Sequence, residues 1–276
     1  VRRLLIRPGA IGDVIVSLPA LEFLAARSAF TEVWTPAALV PLIGFADRVR
    51  PIAATGLDTF EIRPGADLRA LLESFDEIHT WYGSGREQFR TAMAGLPVRF
   101  HAALPGGAPE GAVHAADYYL AQVGAPPGGV PRITVPRGDG GFAVIHPFSG
   151  SPRKNWPLER FRAVAARLDL PVAWLAGPEE ELAGARRFAS LGDLAGWLAQ
   201  ASLYIGNDSG ITHLAAACGV PVVAVFGPTD PAVWGPRGRV AIVRRPTLEE
   251  LPPEAVLDAA ARLRPPSRPP ERDMAG

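Results

Sequence analysis

The constraint that narrows the fold most is an alternation running the length of the chain: short apolar, β-favouring runs separated by longer stretches with helical spacing. Such alternation is buried efficiently only by parallel sheets with helices on both faces. In the first half it predicts strands over 4–7, 32–35, 49–53, 77–80 and 97–101, with helices over 12–27, 37–45, 67–74, 85–94 and 115–123. In the second half strands are expected over 142–146, 172–176, 203–206, 222–226 and 240–243. Helices there are expected over 158–168, 178–189, 194–201 and 209–218, with a closing helical region over 247–263.

At 276 residues the chain is longer than one ordinary core requires. Segment 124–141 concentrates Pro and Gly too densely for regular structure and reads as an interdomain linker. The expected organisation is a first domain over 1–134, a second over 135–264 whose final helix packs back on the first, and a flexible tail over 265–276. This is an α/β architecture of two Rossmann-like, doubly wound domains facing a central cleft, with ligands at the carboxyl ends of the strands.

Composition removes several function classes. The 28 basic and 28 acidic residues cancel, and no basic run exceeds a pair, so nucleic acid is not an expected partner. The single cysteine, Cys218, has no intramolecular disulfide partner, which fits a reducing, cytoplasmic location. The apolar N-terminal stretch is interrupted by Arg7, Pro8, Gly12 and Asp13, so a signal peptide is not expected. No run approaches the ~18 to 20 apolar residues of a membrane span, and any work at a membrane, at the inner face of the cytoplasmic membrane, would be peripheral.

Three stretches carry chemistry. In RPGAIGDVIVSLPAL a turn bearing Gly9 and Gly12 follows the first strand and opens a helix at Asp13, which can cap that helix or serve as a charged group in the cleft. The turn lacks the G-x-G-x-x-G order of dinucleotide folds. In YIGNDSGITHLAAACGVPVVAVFGPTDP a strand runs into Asn207-Asp208-Ser209-Gly210 and a helix. The amides of Ser209, Gly210 and Ile211 can there meet an anion, and His213 lies one turn on. Gly219 is the expected left-handed cap and Cys218 simple core. In HPFSGSPRKNWPLERF the loop Ser149-Gly150-Ser151 leads to Lys154, the one lysine among the 28 basic residues. Lysine is a compact point charge and arginine a planar fork, so a tight diphosphate pocket distinguishes them.

Together these stretches resemble glycosyltransferase family 9, the heptosyltransferases of lipopolysaccharide synthesis and their relatives. The resemblance rests on Gly12-Asp13-Val14-Ile15 with Leu18-Pro19-Ala20-Leu21, on Lys154-Asn155-Trp156-Pro157, on Gly206-Asn207-Asp208-Ser209-Gly210 with His213-Leu214-Ala215-Ala216, and on Phe226-Gly227-Pro228-Thr229-Asp230-Pro231. It implies a GT-B fold and inverting, metal-independent transfer of a heptose-like sugar from a nucleotide-diphosphate donor such as ADP-heptose to a saccharide or glycolipid acceptor such as lipopolysaccharide core. The nucleotide sugar is then a substrate, and no cofactor or metal is expected.

Carried over by position, the resemblance makes Asp13 the general base, Lys154 a donor phosphate and sugar contact, and Asp208 a contact to the transferred sugar. It places Ser209, Gly210 and His213 on the diphosphate; to these the loop chemistry adds the hydroxyls and amides of Ser149, Gly150 and Ser151 and the Ile211 amide as expected phosphate contacts. An acidic residue on the ribose is Glu179, with Glu180 the alternative, and Ala189, Ser190 and Leu191 border the base. Phe148 stands where many relatives have glycine, Ser209 replaces the usual threonine, and the acceptor half is short. Two other readings stay open: a nucleotide-sugar epimerase or hydrolase of similar fold, and a non-catalytic nucleotide-sugar-binding protein.

Overall fold

The structure, a computed structural model, describes residues 1–63, 65–104, 113–138 and 140–263; the tail expected over 265–276 lies outside the described residues. The first half forms strands β1 (Arg2–Ile6), β2 (Phe30–Thr35), β3 (Arg48–Pro51), β4 (Glu77–Thr80) and β5 (Val98–Phe100), with helices α1 (Ile11–Ala25), α2 (Ala66–Glu73), α3 (Glu87–Ala92) and α4 (Ala115–Gln122). The second half forms β6 (Ala143–His146), β7 (Val172–Trp174), β8 (Leu203–Asn207), β9 (Val222–Phe226) and β10 (Val240–Arg244). Its helices are α5 (Leu158–Ala165), α6 (Leu191–Leu198), α7 (Gly210–Ala217), α8 (Pro231–Trp234) and α9 (Pro253–Leu263).

Each half builds one five-stranded sheet, ordered β3-β2-β1-β4-β5 and β10-β9-β8-β6-β7, and every strand pair is parallel. Strand order reverses beside β1 in the first sheet and between β6 and β8 in the second. Connections leave in opposite directions at such a point, and a crevice opens at the strands' carboxyl ends. The turn 7–12 leaves β1, and the loops 147–155 and 207–210 leave β6 and β8, so all three motifs sit at these two crevices.

A central apolar cluster joins the halves: Val14, Leu18 and Leu21 of α1 and Tyr119 of α4 share it with Leu198 of α6 and Leu214 of α7. Two outer clusters cover the far sheet faces, one around Trp34, Phe60 and Phe89, the other around Trp156, Phe161 and Val256. Burial of this area outside water is the main stabilising term. No helix among the described residues is long and apolar enough to cross a membrane.

Four expectations need correction. Segment 178–189 contains no helix: the Arg186 N–H donates to the Trp174 carbonyl and the Ala176 N–H to the Arg186 carbonyl, a bridge that draws the segment beside β7. Segment 37–45 is a short 3-10 turn, Ala37–Leu42, because Pro41 has no N–H to continue an α-helix. Helix α6 starts three residues earlier than expected, since Ser190 Oγ accepts from the Asp193 N–H and caps it. The closing helix α9 packs on α5, β9 and β10 in the second half's outer cluster, instead of returning to the first domain.

Candidate functional site

The turn after β1 is braced from below. Arg7 is buried, and its guanidinium donates to Ser17 Oγ (2.9 Å) and to the carbonyls of Asp13 (2.7 Å) and Pro8 (2.5 Å). Gly9 takes φ +131°, a region L side chains rarely adopt, and a Cβ there would lie 3.0 Å from Asp13 Cβ. Helix α1 opens at Ile11, so Asp13 occupies its first turn, with Oδ2 accepting from the Ala10 N–H at 3.2 Å.

The loop after β6 is stapled to β8 by Asn207, which is fully buried: its Nδ2 donates to the Pro147 carbonyl (2.8 Å) and its Oδ1 accepts from the Trp156 N–H (3.0 Å). Trp156 is anchored in turn, its Nε1 donating to the Leu251 carbonyl. Held at both ends, the loop presents Lys154 to Asp208, with Nζ 3.1 Å from Oδ2. Thr229 Oγ1 donates to the same Oδ2 at 2.7 Å. Both contacts fall on Oδ2.

Helix α7 begins at Gly210 with Ser209 as its cap, Oγ accepting from the Thr212 N–H. The first amides of a helix have no partner within it, so those of Gly210 and Ile211 point out of the α7 end. His213 is buried; desolvation pushes its pKa down to about 4, with Asp208 and Asp13 acting against the shift and His114 and Lys154 adding to it. The ring is therefore neutral at neutral pH and offers a hydrogen bond without a full charge.

These groups converge. A cavity of about 320 Å³ is lined by Asp13, Gly12 and Ala10 from the first domain and by Gly150, Lys154, Asp208, Ser209, Gly210, His213, Thr229 and Trp234 from the second. On the other side of the same helix ends, Ile11 and Ile211 line a second cavity of about 530 Å³. Its walls are mostly apolar and include Ala37, Ala38 and Pro41 from the first domain and Ala189, Ser190 and Leu191 from the second.

Of the two acidic candidates there, Glu180 lines the larger cavity and Glu179 is exposed outside the lining. Glu180 Oε2 accepts from the Gly177 N–H (2.6 Å) and lies 3.1 Å from His146 Nε2. Burial alone raises its pKa, but these two hydrogen bonds outweigh it and hold the carboxyl below its ordinary value. Ser149 and Ser151 do not line either cavity: Ser149 Oγ is taken up by the Ser151 N–H and carbonyl and by Asn155 Oδ1. Gly9 acts on the turn's backbone and stays out of the lining. Cys218 is buried with its thiol pKa pushed up to about 12 by desolvation, a core residue as expected.

Sequence reasoning missed Thr229, Trp234, Arg7, His146 and the apolar wall at Ala37, Ala38 and Pro41. Thr229 lay within a quoted motif, and its hydroxyl beside Asp208 was the available signal. The wall carries no polar signature at all.

A family model for glycosyltransferase family 9 (heptosyltransferase) matches residues 120–258, half of the chain. The chain belongs to this family. It is similar to lipopolysaccharide heptosyltransferase 1 of Escherichia coli K12, 34% identical over 134 residues that make up 42% of this chain and 41% of that one. The corresponding protein of Pseudomonas aeruginosa is 35% identical over 103 residues, 31% of this chain and 28% of that. The sequence match thus spans less than half the length of these relatives. Solved structures extend the likeness over the whole fold. A family 9 glycosyltransferase from Veillonella parvula superposes with a TM-score of 0.74 at 20% identity, covering 95% of this chain and 96% of that one. The E. coli ADP-heptose lipopolysaccharide heptosyltransferase II gives 0.73 at 18%, covering 95% and 98%. The fold is GT-B.

Proposed function

We propose that this chain is an inverting, metal-independent glycosyltransferase that moves a heptose-like sugar from ADP-heptose to a saccharide or glycolipid acceptor of the lipopolysaccharide-core type. The observation that carries the reading is the convergence of Asp13 from one domain and Lys154, Asp208 and the α7 end from the other on a single cavity. The larger apolar cavity beside it has the size and lining of a nucleoside site, with Glu180 as the polar group that meets the ribose. Adenine and heptose come from likeness: a similar E. coli heptosyltransferase is known with ADP and with ADP-2-deoxy-2-fluoro heptose.

In this reading the Asp13 carboxylate accepts the proton of the acceptor hydroxyl as its oxygen attacks the anomeric carbon. The diphosphate leaves from the opposite face, into the second domain, and the configuration inverts. Charge growing on its bridging oxygen is met by the Lys154 ammonium, the Gly210 and Ile211 amides and the neutral His213 ring, groups already oriented before reaction. Asp208 accepts from a sugar hydroxyl and, with Thr229, keeps Lys154 in register. Closure of the domains excludes water and shields the donor from hydrolysis. The site of action is the inner face of the cytoplasmic membrane, reached by peripheral contact.

The test measures nucleotide release from ADP-, GDP-, UDP- and dTDP-sugars with and without lipopolysaccharide-core acceptor. Acceptor-dependent release of ADP, lost in Asp13→Asn, is expected. Donor consumption without acceptor would point instead to an epimerase or hydrolase, and binding without turnover to a nucleotide-sugar-binding protein.

A further inference from the structure

His146 ends β6 between the two sheet faces, is only 3% exposed, and lines the larger cavity. Its Nε2 faces Glu180 Oε2 at 3.1 Å, while its Nδ1 is buried without a hydrogen-bond partner among the described residues. An ionised carboxylate only accepts, so Nε2 carries the proton that it donates to Glu180, and Nδ1 is left with no partner. A buried, unpaired nitrogen is costly. The preceding residues of β6, Ala143, Val144 and Ile145, are apolar, and an apolar residue at 146 would remove that cost. What His146 supplies in return is one hydrogen bond, to Glu180.

That contact matters because of where Glu180 stands. Segment 178–185 carries neither helix nor strand, and two donors, the Gly177 amide and His146 Nε2, fix the carboxylate. Both bind Oε2, which leaves Oε1 as the oxygen open to a ligand. Phe148 meets the His146 ring edge-on, with centroids 6.0 Å apart, and limits its rotation.

We infer that His146 is a positioning residue for nucleoside recognition: through Nε2 it sets the Glu180 carboxylate so that Oε1 accepts from the vicinal diol of a ribose. The inference rests on the donor reading above and adds a residue and a selectivity to it. Its signature is discrimination between ribose and dideoxyribose, a quantity that general loss of packing does not move.

The experiment measures dissociation constants by calorimetry for ADP, GDP and UDP, and for the 2′,3′-dideoxy form of whichever binds tightest. The wild type is expected to prefer the ribose form by roughly tenfold or more, as for hydrogen bonds to a charged acceptor. In His146→Leu the preference falls to within about twofold while dideoxy affinity is unchanged. His146→Gln, which places an amide N–H near the Nε2 position, keeps the preference, and this variant decides the matter should the leucine variant fold poorly. Glu180→Ala abolishes the preference, and adding His146→Leu to it changes nothing further. Equal weakening of both forms in His146→Leu would make the residue merely structural and overturn the inference. Tight binding without a diol preference in the wild type would overturn it alone; no binding of any of the three would overturn the donor reading as well.

Discussion

A methyl group on Gly210 would lie 2.9 Å from the backbone nitrogen of Gly12 and 2.8 Å from Ile11 Cβ, so the first helix of one domain and the α7 end of the other meet with no room for a side chain. The reverse contact is looser: a Cβ on Gly12 would stand 3.5 Å from Gly210 Cα and from His213 Cδ2, ordinary van der Waals distances. The approach brings together two helix N-termini, each with partial positive charge.

Gly210→Ala should therefore separate the domains at the proposed donor-phosphate site. Since the contacts lie below any distance real Cβ atoms show, backbone must move, and small misplacements in such sites cost on the order of 10²-fold in rate. The expected result is loss of donor affinity and of kcat with the thermal transition largely kept. Gly12→Ala should be milder. Steady-state kinetics on both variants checks the order; equal behaviour would remove the close approach from the mechanism.

Lys154 lines the smaller cavity with its charge on a single rotating point, 3.1 Å from Asp208 Oδ2. An arginine there would span both Asp208 oxygens with its fork and occupy Oδ1, the oxygen proposed to meet the sugar. Lys154→Arg is expected to lower kcat/KM by roughly tenfold or more despite the retained charge, and Lys154→Ala further. Wild-type kinetics in the arginine variant would assign the lysine no geometric role.

Asp13→Asn separates the base from the cap. The amide oxygen can still accept from the Ala10 N–H, so α1 should form and donor binding persist. Proton transfer is removed, and kcat should fall by about 10² to 10⁴ with donor KM little changed. Near-normal turnover would leave Asp13 only its capping role.

Much of this site was legible before the structure because its parts are backbone devices with a sequence signature. A glycine turn after an apolar run, a Ser cap after Asn-Asp, and Gly219 at φ +79° each leave a residue type behind. Glu180 against Glu179 was not legible, because the choice turns on the 178–189 segment. Its glutamates favour a helix locally, yet the bridge between Leu175 and Arg186 and the Glu180 contacts to Gly177 and His146 hold it in turns beside β7. Ser149 and Ser151 looked like phosphate ligands by composition, but the hydroxyl of Ser149 is spent inside its own loop. The wall at Ala37, Ala38 and Pro41 comes from the other domain, and its own packing on α6, together with that of α1 on α7, brings it across.

If the donor diphosphate binds beside His213, its affinity should depend on pH. The His213 pKa in the free protein is depressed to about 4 by burial, against an ordinary value near 6.5, with Asp208, Asp13, Lys154 and His114 as the charged neighbours. Below the ordinary value the unfolded chain takes up this proton first, so stability is full above about pH 6.5 and falls as pH drops toward 4. His101, lowered to about 4 mainly by burial beside His79, acts the same way. A diphosphate beside His213 adds negative charge, raises its pKa, and couples binding to proton uptake. Between pH 4 and 6.5 the His213→Gln variant, which cannot take up the proton, should thus fall progressively behind the wild type in ADP affinity as the pH drops. Comparing the two proteins cancels the titration of the nucleotide itself. Parallel affinity curves from pH 5 to 8 would show that His213 stays neutral when the ligand is bound, and would leave the leaving-group charge to Lys154 and the α7 amides alone.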